Sequence, residues 1–209
     1  MFKRILLITL LAAAAGLAQT VNCIVAVVNG EIITLLDVEV TAEFSLGHKG
    51  VDETGREQRL AALDALIDRK VVLNLTREPG EATRDEIAGA LADLRREMGE
   101  AAFAGKLRKF GLLEKDLEPY LEDRVLFDKA MALRFSPTIP VTLTEVERYY
   151  HDIYLPERTR GGLAVEPIDR VAGQIESRMR NERRAKQISD WVRDLRKRAD
   201  IQLRKDSLK

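Results

Sequence analysis

The chain has 209 residues, 45% hydrophobic and 33% charged, with 34 basic side chains set against 34 acidic ones. That balance belongs to a soluble, helix-rich globular protein, and a formal charge of zero excludes a global field drawing nucleic acid or an anionic membrane surface. Only 5% of the residues are aromatic, so the core must be built from Leu, Ile, Val, Ala and Met.

The start of the chain is set apart. Lys3 and Arg4 precede an uncharged, almost wholly apolar run from Ile5 to Ala18, with the small residues Gly16 and Ala18 at signal-peptidase spacing. This is the layout of a secretory signal peptide over residues 1–18. The alternative, a retained anchor, is disfavoured because the run is shorter than the ~20 residues a spanning helix needs. Thr20-Val21-Asn22 before Cys23 is a poor lipoprotein box, and one cysteine cannot form an intramolecular disulfide. The mature chain is therefore expected to be soluble and slightly acidic, held by packing alone.

Ile24–Val28 is a β-branched run followed by Asn29-Gly30 and Glu31-Ile32-Ile33-Thr34, a strong short-range hairpin pattern. A short helix is expected over Leu35–Leu46, ending near Gly47. Between Asp52 and Glu78, Leu60, Leu63, Ile67, Val71 and Leu75 recur at helical spacing, and Pro79-Gly80 ends the pattern. Thr83-Arg84-Asp85-Glu86 is a capping box opening a helix with Ile87, Leu91 and Leu94 on one side. Gly99 and Gly111 bracket another, and Glu114–Phe135 forms a further helix that tolerates Pro119 near its start. Ser136-Pro137 and Pro140 break the chain. A second capping box, Thr142-Leu143-Thr144-Glu145, opens a helix through Tyr149, Tyr150 and Tyr154. Residues 156–167, with two prolines and Gly161-Gly162, read as a linker. A long helix follows from Ile168 to about Ala199, with Val171, Ile175, Ile188, Val192 and Leu195 on its buried side. Its basic middle, Arg178–Lys186, reads as a solvated face rather than a patch for an acidic partner. Ile201 and Leu203 alternate with polar residues and predict a last strand paired with the hairpin.

Signatures of chemistry are sparse. His48 and His151 stand in no metal-ligand spacing and lie far from Cys23 in sequence. No nucleophile elbow and no glycine-rich phosphate loop occurs in the sequence. Adjacent acids such as Glu122 and Asp123 diverge on a helix, whereas a general acid–base pair must converge. Asn74-Leu75-Thr76 matches a glycosylation sequon inside an amphipathic helix and reads as chance. Tyr149 and Tyr150 are neighbours, so one of them is expected to point away from the local core. Met98, Met131 and Met179 suit an adaptable surface but equally suit a core.

The order of motifs carries a resemblance. Ile24 through Thr34 followed by Asp37, then Leu63 through Leu73, then Phe110-Gly111-Leu112 with Leu117 through Arg124, then Val141 through Val146 with Tyr149-Tyr150, is similar to the SurA-type periplasmic chaperones and their peptidyl-prolyl isomerase relatives. In that family a parvulin domain usually follows the last of these segments. Here only residues 156–167 separate it from Ile168–Leu203, which resembles the family's C-terminal helix and strand. The resemblance thus implies the holdase module without the isomerase domain.

The expected fold is mainly α: a multi-helix, SurA-like module with a small β element made by the N-terminal hairpin and the C-terminal strand. It comprises residues 19–209, divided into 19–155, the 156–167 linker and 168–209. The resemblance implies a cofactor-free, ATP-independent chaperone of unfolded exported polypeptides in the periplasm, with outer-membrane β-barrel precursors as candidate clients, no nucleic acid and no stable membrane insertion. The candidate client contacts are Phe103, Phe110, Phe127, Met131, Phe135, Tyr149 and Tyr150. The alternatives are a parvulin-type isomerase and an interaction subunit for one folded partner. N-terminal sequencing of the exported protein should find cleavage near Ala18; a full-length cytoplasmic product would contradict the export reading.

Overall fold

A computed structural model describes residues 23–46, 55–75, 80–135 and 139–204. Residues 1–18, read above as a signal peptide, and Gly47, His48, Thr76 of the sequon, Pro79 and Ser136-Pro137 lie outside them. Ile24–Val28 (β1) turns through Asn29 and Gly30, at φ of 49° and 89°, into Glu31–Thr34 (β2). Both turn residues occupy the left-handed region that a two-residue hairpin requires. Val28 faces Glu31 and Ala26 faces Ile33, with an irregularity between Ile24 and Ala26. Ile201–Leu203 (β3) pairs antiparallel with the other side of β1, so the strand order is β2-β1-β3. Asn29 clamps this return: its N–H donates to the Asp200 carbonyl at 2.8 Å and its side-chain oxygen accepts from the Asp200 N–H at 2.9 Å.

Helices supply the rest. Leu35–Glu43 (α1) is opened by a capping box in which Thr34 Oγ1 accepts from the Asp37 N–H and Asp37 accepts from the Thr34 N–H. Arg56–Leu75 (α2) buries Leu63, Leu66, Ile67, Val71 and Val72. Leu60 and Leu75, counted in the predicted stripe, lie near its two ends and are exposed. Arg84–Met98 (α3) and Glu100–Phe110 (α4) follow, then a 3-10 turn over Glu114–Leu117 and Glu118–Arg134 (α5). Leu143–Tyr149 (α6) has the second predicted capping box, from Thr142 to Glu145. Ile168–Arg196 is α8, with Leu155–Arg160 (α7) before it. The fold is thus mainly α with a small three-stranded antiparallel sheet.

The linker expectation needs correction. Helix does not stop at Pro156. A π-helical turn over Tyr150–Tyr154 runs straight into α7, and the Leu155 N–H bonds back to the Tyr150 carbonyl. Proline cannot donate to a carbonyl one turn back and would clash with it. Placed at the start of α7 after a widened turn, Pro156 meets a hydrogen-bond ladder already shifted, so only residues 161–167 are non-helical.

Three apolar clusters result. The first gathers the sheet, α1, α2, the end of α5 and the end of α8 around Val25, Val28, Ile33, Leu66 and Val72. The second joins α1, α3, α4 and the start of α5 around Phe44, Phe103, Leu117 and Leu121. The third seats Val146, Tyr149 and Tyr150 on Val171 and Ile175 of α8. The 29 residues of α8 span roughly 43 Å at 1.5 Å each, which lets one helix serve both the first and third clusters.

Truncation after Ala199 should lower unfolding free energy by about 2 kcal/mol, because it removes a paired strand and the half-buried Ile201 while Leu203 is already 44% exposed. Chemical denaturation measures this; an unchanged midpoint would contradict the clamp.

Candidate functional site

Helices α5 and α8 both pack on α2. Between them lies an open trough of about 580 Å³, lined in equal number by apolar side chains and by polar or charged ones, Asp128 of α5 among the latter. Phe127 and Met131, one turn apart, come from α5; Ala185, Ile188, Ser189 and Val192 come from α8. These α8 positions follow helical i, i+3, i+4, i+7 spacing. Phe127, Met131, Ile188 and Val192 also belong to or pack on the first core cluster, so the trough is a place where that core reaches the surface.

Charge at the rim is largely paired. Arg196 meets Asp68 at 2.5 Å and Asp64 at 3.2 Å. Arg193 pairs with Asp190, which also meets Lys186 at 3.0 Å. Exposed pairs of this kind contribute little stability and leave no strong field of one sign, so apolar content is what the trough can select. Beside it, Phe135 meets Trp191 edge-on with centroids 5.6 Å apart, and the Arg134 guanidinium lies 4.6 Å over the Trp191 ring.

The seven candidate contacts divide. Phe127, Met131 and Phe135 come together at or beside the trough. Phe110 is half-buried against the second cluster, away from the other three. Phe103 is only 1% exposed, edge-on to Phe44 at 5.9 Å and covered by Arg95; helices on every side close around it, and it belongs to the core. Tyr149 and Tyr150 are likewise core, at 8% and 9% exposure, contrary to the expectation that one would face outward. Residues adjacent on a helix diverge by about a quarter turn or more. Here α8 covers one and residues 161–167 cover the other: the Tyr149 hydroxyl donates to Glu182 at 3.2 Å and the Tyr150 hydroxyl to the Glu166 carbonyl at 2.8 Å. The sequence reading missed Ala185 and Ser189 and placed Ile188 and Val192 only in the core. Their helical spacing was visible, but which flank of the stripe stays uncovered depends on α5.

The basic stretch of α8 is a set of clamps. Arg178 meets Glu157 at 2.8 Å and Glu182 at 3.0 Å, Arg180 pairs with Glu176, and Arg183 meets Glu145 at 2.5 Å. The Thr142 N–H and the Arg183 guanidinium hold the Glu145 carboxyl down to about 2. His151 is exposed.

Two polar features lie inside. The Tyr120 hydroxyl donates to Asp37 at 2.8 Å, and burial together with that carboxylate pushes its ionisation well above the ordinary tyrosine range. Arg69 of α2 is buried and donates to the Leu46 carbonyl at 2.6 Å. Near it on α5, burial raises the Asp123 carboxyl above its ordinary value, against the opposing pull of Lys70 and Arg69. Among the described residues no group of three or more His, Cys, Asp or Glu side chains is placed to hold a metal ion, and no helix is long and apolar enough to cross a membrane. Comparison with protein-family models and with curated proteins returns no match.

A raised carboxyl means the folded state holds its proton to higher pH than the unfolded chain, so Asp123 erodes stability as pH climbs from the unfolded value through the folded one. Asp123→Asn should therefore stabilise the protein at pH 7, on the order of 0.5–1 kcal/mol, with the gain vanishing at low pH. Thermal melts at pH 3 and pH 7 check this; a loss at pH 7 would contradict it.

Proposed function

We propose that the protein is an ATP-independent chaperone that holds unfolded, exported polypeptides by burying their apolar segments in the α5–α8 trough. The observation that carries this reading is the trough itself: an open concavity of about 580 Å³ with Phe127, Met131, Ala185, Ile188 and Val192 in its wall and the ion-paired Arg193 and Arg196 at its rim. Exposed apolar concavities rimmed by polar residues mark polypeptide-binding surfaces. The order of sequence motifs and the signal-like residues 1–18 support the same reading. On this reading the clients are exported chains, with outer-membrane β-barrel precursors as candidates, since unpaired strands and bare apolar surface make such chains aggregate.

The proposed mechanism is reversible burial. A client segment covers the parts of Phe127, Met131 and Ile188 that the core leaves exposed, and because these side chains are half-buried and Val192 is only 6% exposed, each contributes well under the ~1.5–3 kcal/mol of a fully exposed side chain. Ordering the client opposes this, so affinity is modest and release follows when the client buries the segment in its own fold. Paired rim charges predict weak salt dependence, because exposed charges are screened over about 8 Å at physiological ionic strength.

Light scattering of a refolding β-rich client tests the proposal. Substoichiometric to equimolar protein should suppress aggregation without nucleotide, and Phe127→Ser should weaken suppression several-fold while the protein remains folded by circular dichroism. No suppression at several-fold molar excess would overturn the chaperone reading and favour a subunit dedicated to one folded partner.

A further inference from the structure

The turn between β1 and β2 joins a reactive dipeptide to a structural clamp. An asparagine followed by glycine is prone to deamidation, because the bare glycine Cα lets its backbone nitrogen approach the preceding carboxamide. Asn29 and Gly30 are both exposed, and a side chain placed on Gly30 would meet nothing within 4 Å, so water and hydroxide reach the turn. The carboxamide itself is held. Asn29 Oδ1 accepts from the Asp200 N–H at 2.9 Å, and the Asn29 N–H donates to the Asp200 carbonyl at 2.8 Å. Asp200 leads directly into β3, whose Ile201 faces Val28 of β1.

Deamidation has a strict geometry. The Gly30 nitrogen gives its proton to hydroxide and forms a bond to Asn29 Cγ. The Cγ–Nδ2 bond breaks, and that nitrogen takes a proton from water and leaves as ammonia. Water then opens the resulting five-membered succinimide at either carbonyl, giving an aspartate or an isoaspartate with no change in oxidation state. Ring closure needs the Gly30 nitrogen nearly eclipsed with Cβ of Asn29 about the Cα–C bond. With φ of 49° and 89° at its two central residues, the turn is type I′, which sets ψ of the first at about +30°. That rotation puts the Gly30 nitrogen almost opposite Cβ. The ring therefore closes only after the Asn29 backbone swings through more than a right angle, and the two bonds to Asp200 oppose that swing.

We propose that Asn29 is a deamidation site gated by the C-terminal strand: inert while Asp200 clamps the turn, reactive whenever β3 lifts from β1. The isoaspartate product then makes the opening permanent. It routes the main chain through Cβ and so lengthens a two-residue loop whose backbone must be left-handed at both positions, and β3 loses the partner that fixed its register. The gate lies in the sheet and is independent of whatever occupies the trough.

The test follows conversion of Asn29 in the full mature chain at mildly alkaline pH, by mass spectrometry of the proteolytic peptide that spans the turn. Hydrogen exchange of the Asn29 amide is measured alongside. Because only the open state reacts, conversion should be at least about tenfold slower than in the same chain unfolded in urea, by the factor that exchange reports for opening. Asp200→Pro deletes the N–H that holds Oδ1 and should speed conversion about fivefold, the change in open population expected when one hydrogen bond is lost. Truncation after Ala199 removes both bonds and the strand and should speed it further, while slow exchange across α2 shows that the rest stays folded. Equal rates in the folded and urea-unfolded chains would overturn the proposal, as would a folded-state rate that neither variant changes.

Discussion

The constraint on which the structure depends is the burial of one face of α2. Leu63, Leu66, Ile67, Val71 and Val72 leave water together, and the sheet, α1, α5 and α8 all settle on or around them. At ~25 cal/mol per Å² of apolar surface, no other element offers a comparable seat. The sheet cannot stand alone, since its strands are five, four and three residues long and so small a sheet needs a helix against it. The two ends of the described chain therefore meet on α2, with Asn29 and Asp200 fastening the junction.

From that constraint the trough follows. Because α5 and α8 each bury apolar residues against α2, they straddle it rather than close on each other. Phe127, Met131, Ile188 and Val192 face both inward to the core and outward to the gap. A bundle completed by a further helix would have no such opening. The same helix α8 continues past the core to hold α6 and α7, through the clamps of Arg178 and Arg183 and the Tyr149 hydroxyl. That third cluster is joined to the rest chiefly along one helix.

Much of this was legible residue by residue. Asn29-Gly30, the Thr83 and Thr142 capping boxes, the stripe on α2 and the alternation at Ile201 each encode their own local geometry. They need only neighbours a few positions away. The Pro156 region misled because proline normally stops a helix, and a π turn that shifts the hydrogen-bond register ahead of it has no clear sequence signal. Tyr149, Tyr150 and Phe103 misled for another reason. Whether an aromatic side chain is core or contact depends on what covers it, and the covers here, α8, the 161–167 segment and α1, come from far along the chain. By the same logic Ile188 and Val192 were readable as apolar but not as trough-lining.

The central claim is that a client's apolar segment occupies the trough. Site-specific photocrosslinking tests it most directly: a photoreactive residue at Ser189, in the trough wall, is compared with one at Leu113, exposed on the turn after α4. The account predicts strong crosslinks from Ser189 to an unfolded β-rich client, declining when Phe127→Ser is added, and few from Leu113. Equal yields at both positions, or none at Ser189 while aggregation is still suppressed, would contradict it.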